Sequence, residues 1–466
     1  MNLIWRFCSP RLTSVDCTMH PHNFAVSKDL VDKYPFLSLL APAGGVVRSV
    51  QTHSSQEMHV PRFHSFIAHL GNLNLAFPHV SDYHGNRSGR VEMAGCGADE
   101  RPELAMVRAV AEAAERYSMS VFNKDDIVTA SFAEVGSQGL SYESIACGSA
   151  AEYADPLSPL KRIDPHAPVR WVYGYSPLEN RRKLVPLIMT HLFIRPWPSE
   201  HFWLPISTGV AAHTDFAQAA VAAICEVIER DAIALTWLLR PTLPRIWLDE
   251  PAPAEHAEKF YRLRESGLEQ MFFDATSELG IPTVYGLQLK EGDPQAAQFI
   301  NCTTGFNRWD GCAKLIRESA MGRSILALSL PIPDDVRDFV ELEHGAIYMG
   351  RAEQRPAFDF LTGSNVVMPI SRMSQPSVVT PREQLRYLLE RLDAAGMEVV
   401  LVDLTTDELR DAGLRVIRAV IPALMPMSAT YRARYLGHPR ILQAQARQAE
   451  QSGRAVEINP YPQPFA

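Results

Sequence analysis

The sequence predicts a mixed α/β (α+β) protein, on three observations. Glu103 to Met119 consists almost wholly of strong helix formers. A second run, Phe216 to about Leu239, follows an N-cap offered by Thr214 and Asp215 and stops before Pro241. Around these lie short β-branched and aromatic segments bounded by turn residues, which read as strands.

The elements follow in chain order. Residues 1–60 have no sustained periodicity, carry Pro21, Pro35, Pro42 and Ser54-Ser55, and read as a variable N-terminal extension. His59, His64 and His69 recur every five residues, a spacing that fits neither a helix face nor a strand face, so surface histidines are expected rather than a metal site. Beyond the first helix, Val169–Tyr175 and Lys183–Met189 read as two strands around Ser176-Pro-Leu-Glu-Asn180. Beyond the second, Thr283–Leu289 and Gln298–Thr303 read as strands, and about Gly311 to Leu328 as a third helix. A Gly/Ser/Pro-containing stretch, Thr362 to Pro381, precedes a final unit: helix Arg382–Ala395, strand Glu398–Leu404, a short helix near Thr406–Ala412 and strand Leu414–Ile421.

Composition excludes several classes. A chain of 466 residues with 46% hydrophobic and 21% charged residues has the balance of a soluble globular protein, and its length allows one large domain or about three smaller ones. No apolar run reaches the ~18 to 20 residues a membrane span needs, and Arg6 interrupts the N-terminal apolar stretch before a secretory core forms. The 7 cysteines are odd in number and never spaced C-x-x-C, which fits a reducing cytoplasm. At a net charge of -8 with no basic run, the chain lacks the electrostatic footprint of a nucleic-acid binder. The dipeptide Gly-Lys never occurs, which removes the P-loop. His-Glu-x-x-His, Gly-x-Ser-x-Gly and His-Arg-Asp are absent too, and Gly95-Cys-Gly97 lacks the third glycine of a dinucleotide fingerprint.

What remains is a repeated Glu-x-x-Glu-Arg, late in each of the first two helices: Glu112-Ala-Ala-Glu115-Arg116 and Glu226-Val-Ile-Glu229-Arg230. Residues at i and i+3 share a helix face, so each motif sets two carboxylates side by side in Ala/Val-rich surroundings. Buried carboxylates need a cation or close pairing. Two such helices facing one another suit Mg²⁺, which binds a few carboxylates, water and nucleotide phosphates, while Arg116 and Arg230 supply charge for phosphate. The alternative is a solvated helix face with internal i,i+4 pairs, Glu112 to Arg116 and Glu226 to Arg230.

Glu112-Ala-Ala-Glu-Arg-Tyr-Ser118, and Ser207-Thr-Gly-Val-Ala-Ala-His-Thr-Asp215 leading to Glu226-Val-Ile-Glu-Arg-Asp-Ala232, resemble the two signatures of the YcaO family. A third element, Arg317-Glu-Ser-Ala-Met-Gly-Arg323, matches at Glu318 and Arg323, with Met321 where the family has Gln. Ala94-Gly-Cys-Gly-Ala-Asp99 lacks the lysine of the family's Gly/Ser/Lys-rich segment. Val399-Val-Leu-Val-Asp-Leu-Thr405, Val416 to Pro426, Tyr435-Leu-Gly-His-Pro-Arg440 and the ending Asn459-Pro-Tyr-Pro-Gln-Pro-Phe-Ala466 resemble the azoline-forming members.

The resemblance implies a YcaO-like fold of long Glu-bearing helices packed on mixed sheets. It divides the chain into the extension 1–60, an ATP-binding catalytic domain 61–440, and 441–466 as a C-terminal helix and Pro-rich tail reaching the active site. It implies Mg²⁺ on Glu112, Glu115, Glu226 and Glu229, ATP contacts from Arg116, Ser207, Arg230, Glu318 and Arg323, and a catalytic tail at Pro464 and Ala466. Pro460, Pro462 and Pro464 fix three φ angles, so the tail is expected to stay extended at low entropic cost; the alternative is a frayed end. The activity implied is ATP-dependent cyclodehydration of Cys, Ser or Thr in a ribosomal precursor peptide to thiazoline or oxazoline. Thioamidation, amidine macrocyclisation and an inactive scaffold subunit stand as alternatives. The first sixty residues look too short and irregular for a peptide clamp. The resemblance therefore implies a leader-peptide-binding partner similar to ubiquitin-activating enzymes, a flavin-dependent azoline dehydrogenase, and a homodimer within the complex.

Overall fold

Pro102 opens helix α1 (Pro102–Ser120), where the missing N–H falls in a turn that has no acceptor for it, and Val121 in extended conformation closes it. Asp215 caps α2 (Phe216–Leu239), its side chain accepting the Gln218 amide at 2.9 Å, and left-handed Arg240 ends it ahead of Pro241. The computed structural model describes residues 26–41, 45–53, 60–73, 77, 79–80, 93–326 and 330–465. Five further helices are used below: α3 (Ala257–Ser266), α4 (Arg308–Leu326), α5 (Leu342–Gly350), α6 (Pro381–Ala394) and α7 (Pro439–Ser452).

Among the described residues the strands form three sheets. The first is antiparallel, in the order β1 (Val47–Thr52), β2 (His64–Leu70), β3 (Ala94–Asp99). The second holds β4 (Val128–Ser131), β5 (Pro168–Ser176), β6 (Arg181–Pro186), β7 (Val210–His213), β13 (Val400–Asp403) and β14 (Arg415–Val420), ordered β4-β5-β13-β14-β7 with β6 paired to β5. The third runs β11-β10-β9-β8-β12, from β8 (Arg245–Trp247), β9 (Glu269–Asp274), β10 (Thr283–Leu289), β11 (Gln298–Thr304) and β12 (Val367–Pro369). Strands β3, β7 and β11 are thus edge strands, one from each sheet.

Small residues set the distances. Ala105, Ala109 and Ala113 of α1 are fully buried, and β3 meets them with Gly95 and Gly97. A Cβ on Gly95 would lie 2.1 Å from the Ala113 nitrogen, and one on Gly97 2.1 Å from the Ala105 carbonyl. Only glycine allows this approach, so Gly-Cys-Gly is a helix-packing strand rather than a phosphate loop. One core gathers around α1 with strands of the first two sheets; α2, α6 and strands β13 and β14 build a second; α3, α4 and β9 contribute to another.

Residues 28–52 carry more structure than their sequence signals. Phe36, Leu37 and Leu39 are buried in a 3₁₀ turn, and β1 pairs with β2. A register shift between Val47 and Ser49 breaks the alternation by which β1 would have been read. The second strand of the 169–189 pair ends at Pro186, with 187–189 turning as 3₁₀ helix. Leu328, the expected end of the third helix, and His59 lie outside the described residues. His64 is exposed and His69 half-buried. No described helix is long and apolar enough to cross a membrane.

Candidate active site

An edge strand leaves backbone N–H groups that must find acceptors if they are not in water. Here four glutamates supply them. On α1, Glu112 accepts the Cys96 amide of β3 at 3.0 Å and Glu115 the Ala212 amide of β7 at 2.7 Å. On α2, Glu226 accepts the Gly209 amide just ahead of β7 at 2.9 Å and Glu229 the Thr304 amide at the end of β11 at 3.3 Å. The two Glu-x-x-Glu-Arg motifs are therefore used in the same way. The first glutamate of each takes a Gly-flanked or Gly amide and the second an amide of the next edge strand.

The arginines repeat the pattern. Arg116 donates to Glu112 at 3.0 Å and Arg230 to Glu226 at 3.0 Å, so both i,i+4 pairs exist, yet at only 14% and 18% side-chain exposure neither arginine lies on a solvated helix face. Arg230 also donates to Glu229 at 2.8 Å. Gly209, at φ 81, occupies a backbone region that disfavours other residues, and a Cβ there would stand 2.6 Å from the Ala419 carbonyl.

Electrostatics mark the row as short of positive charge. Burial, together with the Glu112 and Glu226 carboxylates, pushes Glu115 up to about 8, against the opposing pull of the Ala212 amide and Arg116. Burial likewise raises Glu229, with Glu226 and Glu318 adding to it while Lys314 and Arg230 oppose. Lys314 stands between Glu229 and Glu318, 3.8 and 3.9 Å from each, and Arg317 is 3.3 Å from Glu318. Among the described residues no three His, Cys, Asp or Glu side chains are gathered as a metal cage. The donor set fits Mg²⁺ nonetheless, because Mg²⁺ takes one or two carboxylates and completes its shell with water and phosphate oxygens.

The predicted residues divide as follows. Glu112, Glu115, Arg116, Glu226, Glu229 and Arg230 share the row, and Glu318 joins it through Lys314 and Glu229. Ser207 lies in the loop that delivers Gly209. Arg323 is buried, and its guanidinium donates to the Ala296 carbonyl. It sits about 140° round α4 from Glu318, which turns it away from the row. Pro464 is buried beside Phe465, and Phe465 covers Arg230 with 4.8 Å between ring centroid and guanidinium. Ala466 lies outside the described residues.

The tail is tied down at several points rather than frayed. Asn459 is fully buried, its amide donating to Leu238 and its side chain to Trp237, both on α2. Trp237 and Tyr431 donate to the carbonyls of Tyr461 and Pro460. Gly345 of α5 faces Gln463 so closely that a Cβ would lie 2.0 Å from its carbonyl.

Sequence reasoning missed Lys314 and the four backbone amides, three in edge strands and one, Gly209, just ahead of β7. Two glycines on one face of a short strand, Gly95 and Gly97, were the available signal for one of them. A cavity of about 550 Å³ adjoins the row, lined among others by Thr304, Asn307, Lys314, Gln375 and Gln384. Thr304 and Lys314 both contact Glu229, so the cavity opens beside the carboxylates.

Residues 94–425 match the family described as YcaO cyclodehydratase, ATP- and Mg²⁺-binding. No curated protein matches the sequence. Among solved structures the chain is similar to a heterocyclase in complex with substrate and cofactor (TM-score 0.70, 19% identity, 96% of this chain and 58% of that one). It is also similar to YcaO from Methanopyrus kandleri bound with AMPPCP and Mg²⁺ (TM-score 0.59, 16% identity, 87% and 92%). A third likeness is to the E. coli microcin synthetase McbBCD complex with pro-MccB17 bound (TM-score 0.58, 10% identity, 92% and 98%). At these identities the likeness is one of fold, and the chain spans 58% of the length of that first heterocyclase.

Proposed function

The chain belongs to the YcaO family of ATP- and Mg²⁺-binding cyclodehydratases, and from that premise we propose that it converts Cys, Ser or Thr of a ribosomal precursor peptide to thiazoline or oxazoline. The side-chain thiol or hydroxyl adds to the preceding backbone carbonyl carbon, and the oxygen of the tetrahedral adduct takes the γ-phosphoryl group of ATP. Phosphate then leaves as the nitrogen lone pair closes the C=N bond and the amide proton departs. The net change is loss of water from the peptide and hydrolysis of ATP to ADP and phosphate.

In such a reaction the protein positions groups and stabilises charge. Glu112, Glu115, Glu226 and Glu229 would hold Mg²⁺, which supplies charge neutralisation at the phosphates. The backbone amides fix the rotamers of these four carboxylates, so the geometry is set before ligands arrive. Arg116 and Arg230 orient the first glutamate of each motif, with Ser207 and Glu318 at the margins toward nucleotide. The cavity beside Glu229 is of a size to receive a peptide side chain and its preceding carbonyl. The tail would serve to orient a proton or the adduct, a role supported by Phe465 lying on Arg230 beside the row.

The observation that carries this reading is the paired use of the two Glu-x-x-Glu-Arg motifs, four carboxylates in one row with a raised Glu115. A peptide-binding partner similar to ubiquitin-activating enzymes, and a flavin-dependent azoline dehydrogenase acting afterwards, complete the proposed system in a cytoplasmic complex. The test is mass spectrometry of a Cys/Ser/Thr-rich precursor incubated with the chain, partner and Mg²⁺-ATP. Loss of water per modified residue, with ring closure between neighbouring residues, supports azoline formation. Oxygen replaced by sulfur, or a ring joining distant residues, replaces it with thioamidation or macrocyclisation, and no nucleotide binding at all reduces the chain to a scaffold.

A further inference from the structure

Arg418 of β14 is 3% exposed, and its Nε and Nη1 groups are enclosed without a hydrogen-bond partner. It pairs across β14 and β7 with Val210, the residue after the Gly209 whose amide holds Glu226. Glu226 is the carboxylate within its electrostatic reach, but that group is already engaged at both oxygens, by Arg230 and by Gly209. His191, buried and pushed down to about 3 by burial, by Arg418 and by His79, is neutral, and an imidazole offers no anion in any case. Arg440 and Arg170 are answered by Asp231 and Glu200; Arg323 is also buried without an acidic partner among the described residues, but it donates to the Ala296 carbonyl and lies about 140° round α4 from Glu318, away from the row.

An unanswered buried cation is costly, and a fold keeps one where something else brings the anion. The motif arginines do not fill this need, since Arg116 is committed to Glu112 and Arg230 to Glu226 and Glu229. A polyphosphate approaching four carboxylates needs positive charge that is not already spent. A guanidinium is planar, always charged, and matched to phosphate oxygens two at a time.

We propose that Arg418 is an anion-binding residue of the active site, its guanidinium taking a phosphate oxygen of the nucleotide held along the glutamate row. The inference rests on the nucleotide-binding reading above and names the residue that compensates the phosphate. It gives two opposite signs for one substitution. Removing the charge relieves the ligand-free protein of an uncompensated cation, yet deprives the nucleotide of a partner.

The experiment compares wild type, Arg418→Met and Arg418→Gln by thermal melting without nucleotide and by calorimetry with Mg²⁺-AMPPCP. The expected result is a melting temperature at or above that of wild type together with at least a tenfold loss of nucleotide affinity. Arg418→Lys, which keeps the charge and loses the fork, falls between. A lower melting temperature with unchanged affinity, or failure of both neutral variants to fold, overturns the proposal in favour of a structural arginine. If wild type itself does not bind Mg²⁺-AMPPCP, the nucleotide reading fails and the proposal falls with it, a result distinct from equal binding by wild type and variants.

Discussion

Phe465 lies over the guanidinium of Arg230, its ring centroid 4.8 Å away. Arg230 in turn holds Glu226 and Glu229, so the penultimate residue of the chain is one side chain removed from two of the four row carboxylates. A cation–π contact at a site this enclosed holds both partners in place. The tail, α2 and the row thus form one connected unit, and changes in any of the three should be felt in turnover before they are felt in stability.

Glu115→Gln and Glu229→Gln should each lower ATP-dependent turnover by on the order of a hundredfold or more, because each removes, at nearly constant volume, a carboxylate that would be ionised once Mg²⁺-nucleotide is bound. The fold should survive, since both side chains can still accept the amides of Ala212 and Thr304. Steady-state kinetics beside circular dichroism make the comparison, and near-normal turnover in both variants returns the motifs to a structural role.

Glu115 makes stability depend on pH. Its folded value is raised from 4.5 to about 8, so the ligand-free folded state binds its proton more tightly than the unfolded chain does. That contribution is fully present below pH 4.5 and is lost as pH rises toward 8. The melting temperature of wild type should therefore fall over this window more steeply than that of Glu115→Gln. Mg²⁺-nucleotide binding should release protons at pH 7 in wild type and fewer in the variant, which calorimetry in buffers of different ionisation enthalpy measures. Parallel pH profiles would remove Glu115 as the coupled group.

The long helices were legible because their signals are local. Asp215 and Pro241 bracket α2, and the alanines of α1 need no partner to favour a helix. Strands β10 and β11 were legible from composition. What escaped were features made by contact between distant segments. β1 carries a register shift, and α5 is short. The amides that hold the glutamates come from three sheets whose edges no local pattern brings together. The six motif residues were readable from the repeat itself. The motif does not display that Arg323 donates to the Ala296 carbonyl, since its position around α4, rather than its distance along the chain, decides what it faces.

Asp231 and Arg440 form a buried pair, at 1% and 3% side-chain exposure, joining α2 to the first turn of α7. Asp231 also accepts the Met425 amide. Asp231→Ala should cost about 3 to 5 kcal/mol, because it leaves a guanidinium buried with only the half-exposed Glu278 to answer it. Urea denaturation reads this directly, and a loss below about 1 kcal/mol would place the pair with ordinary surface bridges.

Deleting Pro462 to Ala466 should collapse cyclodehydration while leaving nucleotide affinity largely intact. The alternative is the commoner one for any chain end, a tail that frays and does nothing. Against it stand the burial of Pro462, Pro464 and Phe465, and the hydrogen bonds that hold Asn459, Pro460 and Tyr461. Truncation alone leaves a doubt between lost chemistry and an uncovered Arg230, and Gly345 removes it. A Cβ there would lie 2.0 Å from the Gln463 carbonyl, a backbone atom that cannot swing aside as a flexible side chain does. Gly345→Ala therefore displaces the tail while keeping every tail residue. A shared loss of turnover, with Mg²⁺-AMPPCP affinity within a few-fold of wild type, ties the chemistry to the position of the tail. Phe465→Leu separates the remaining contribution: it keeps apolar cover over Arg230 but loses the ring face, so its turnover should lie between wild type and the truncation. Full turnover in the truncated and Gly345→Ala proteins would leave the contact with Arg230 as packing, and the catalytic role would have to be sought along the glutamate row alone.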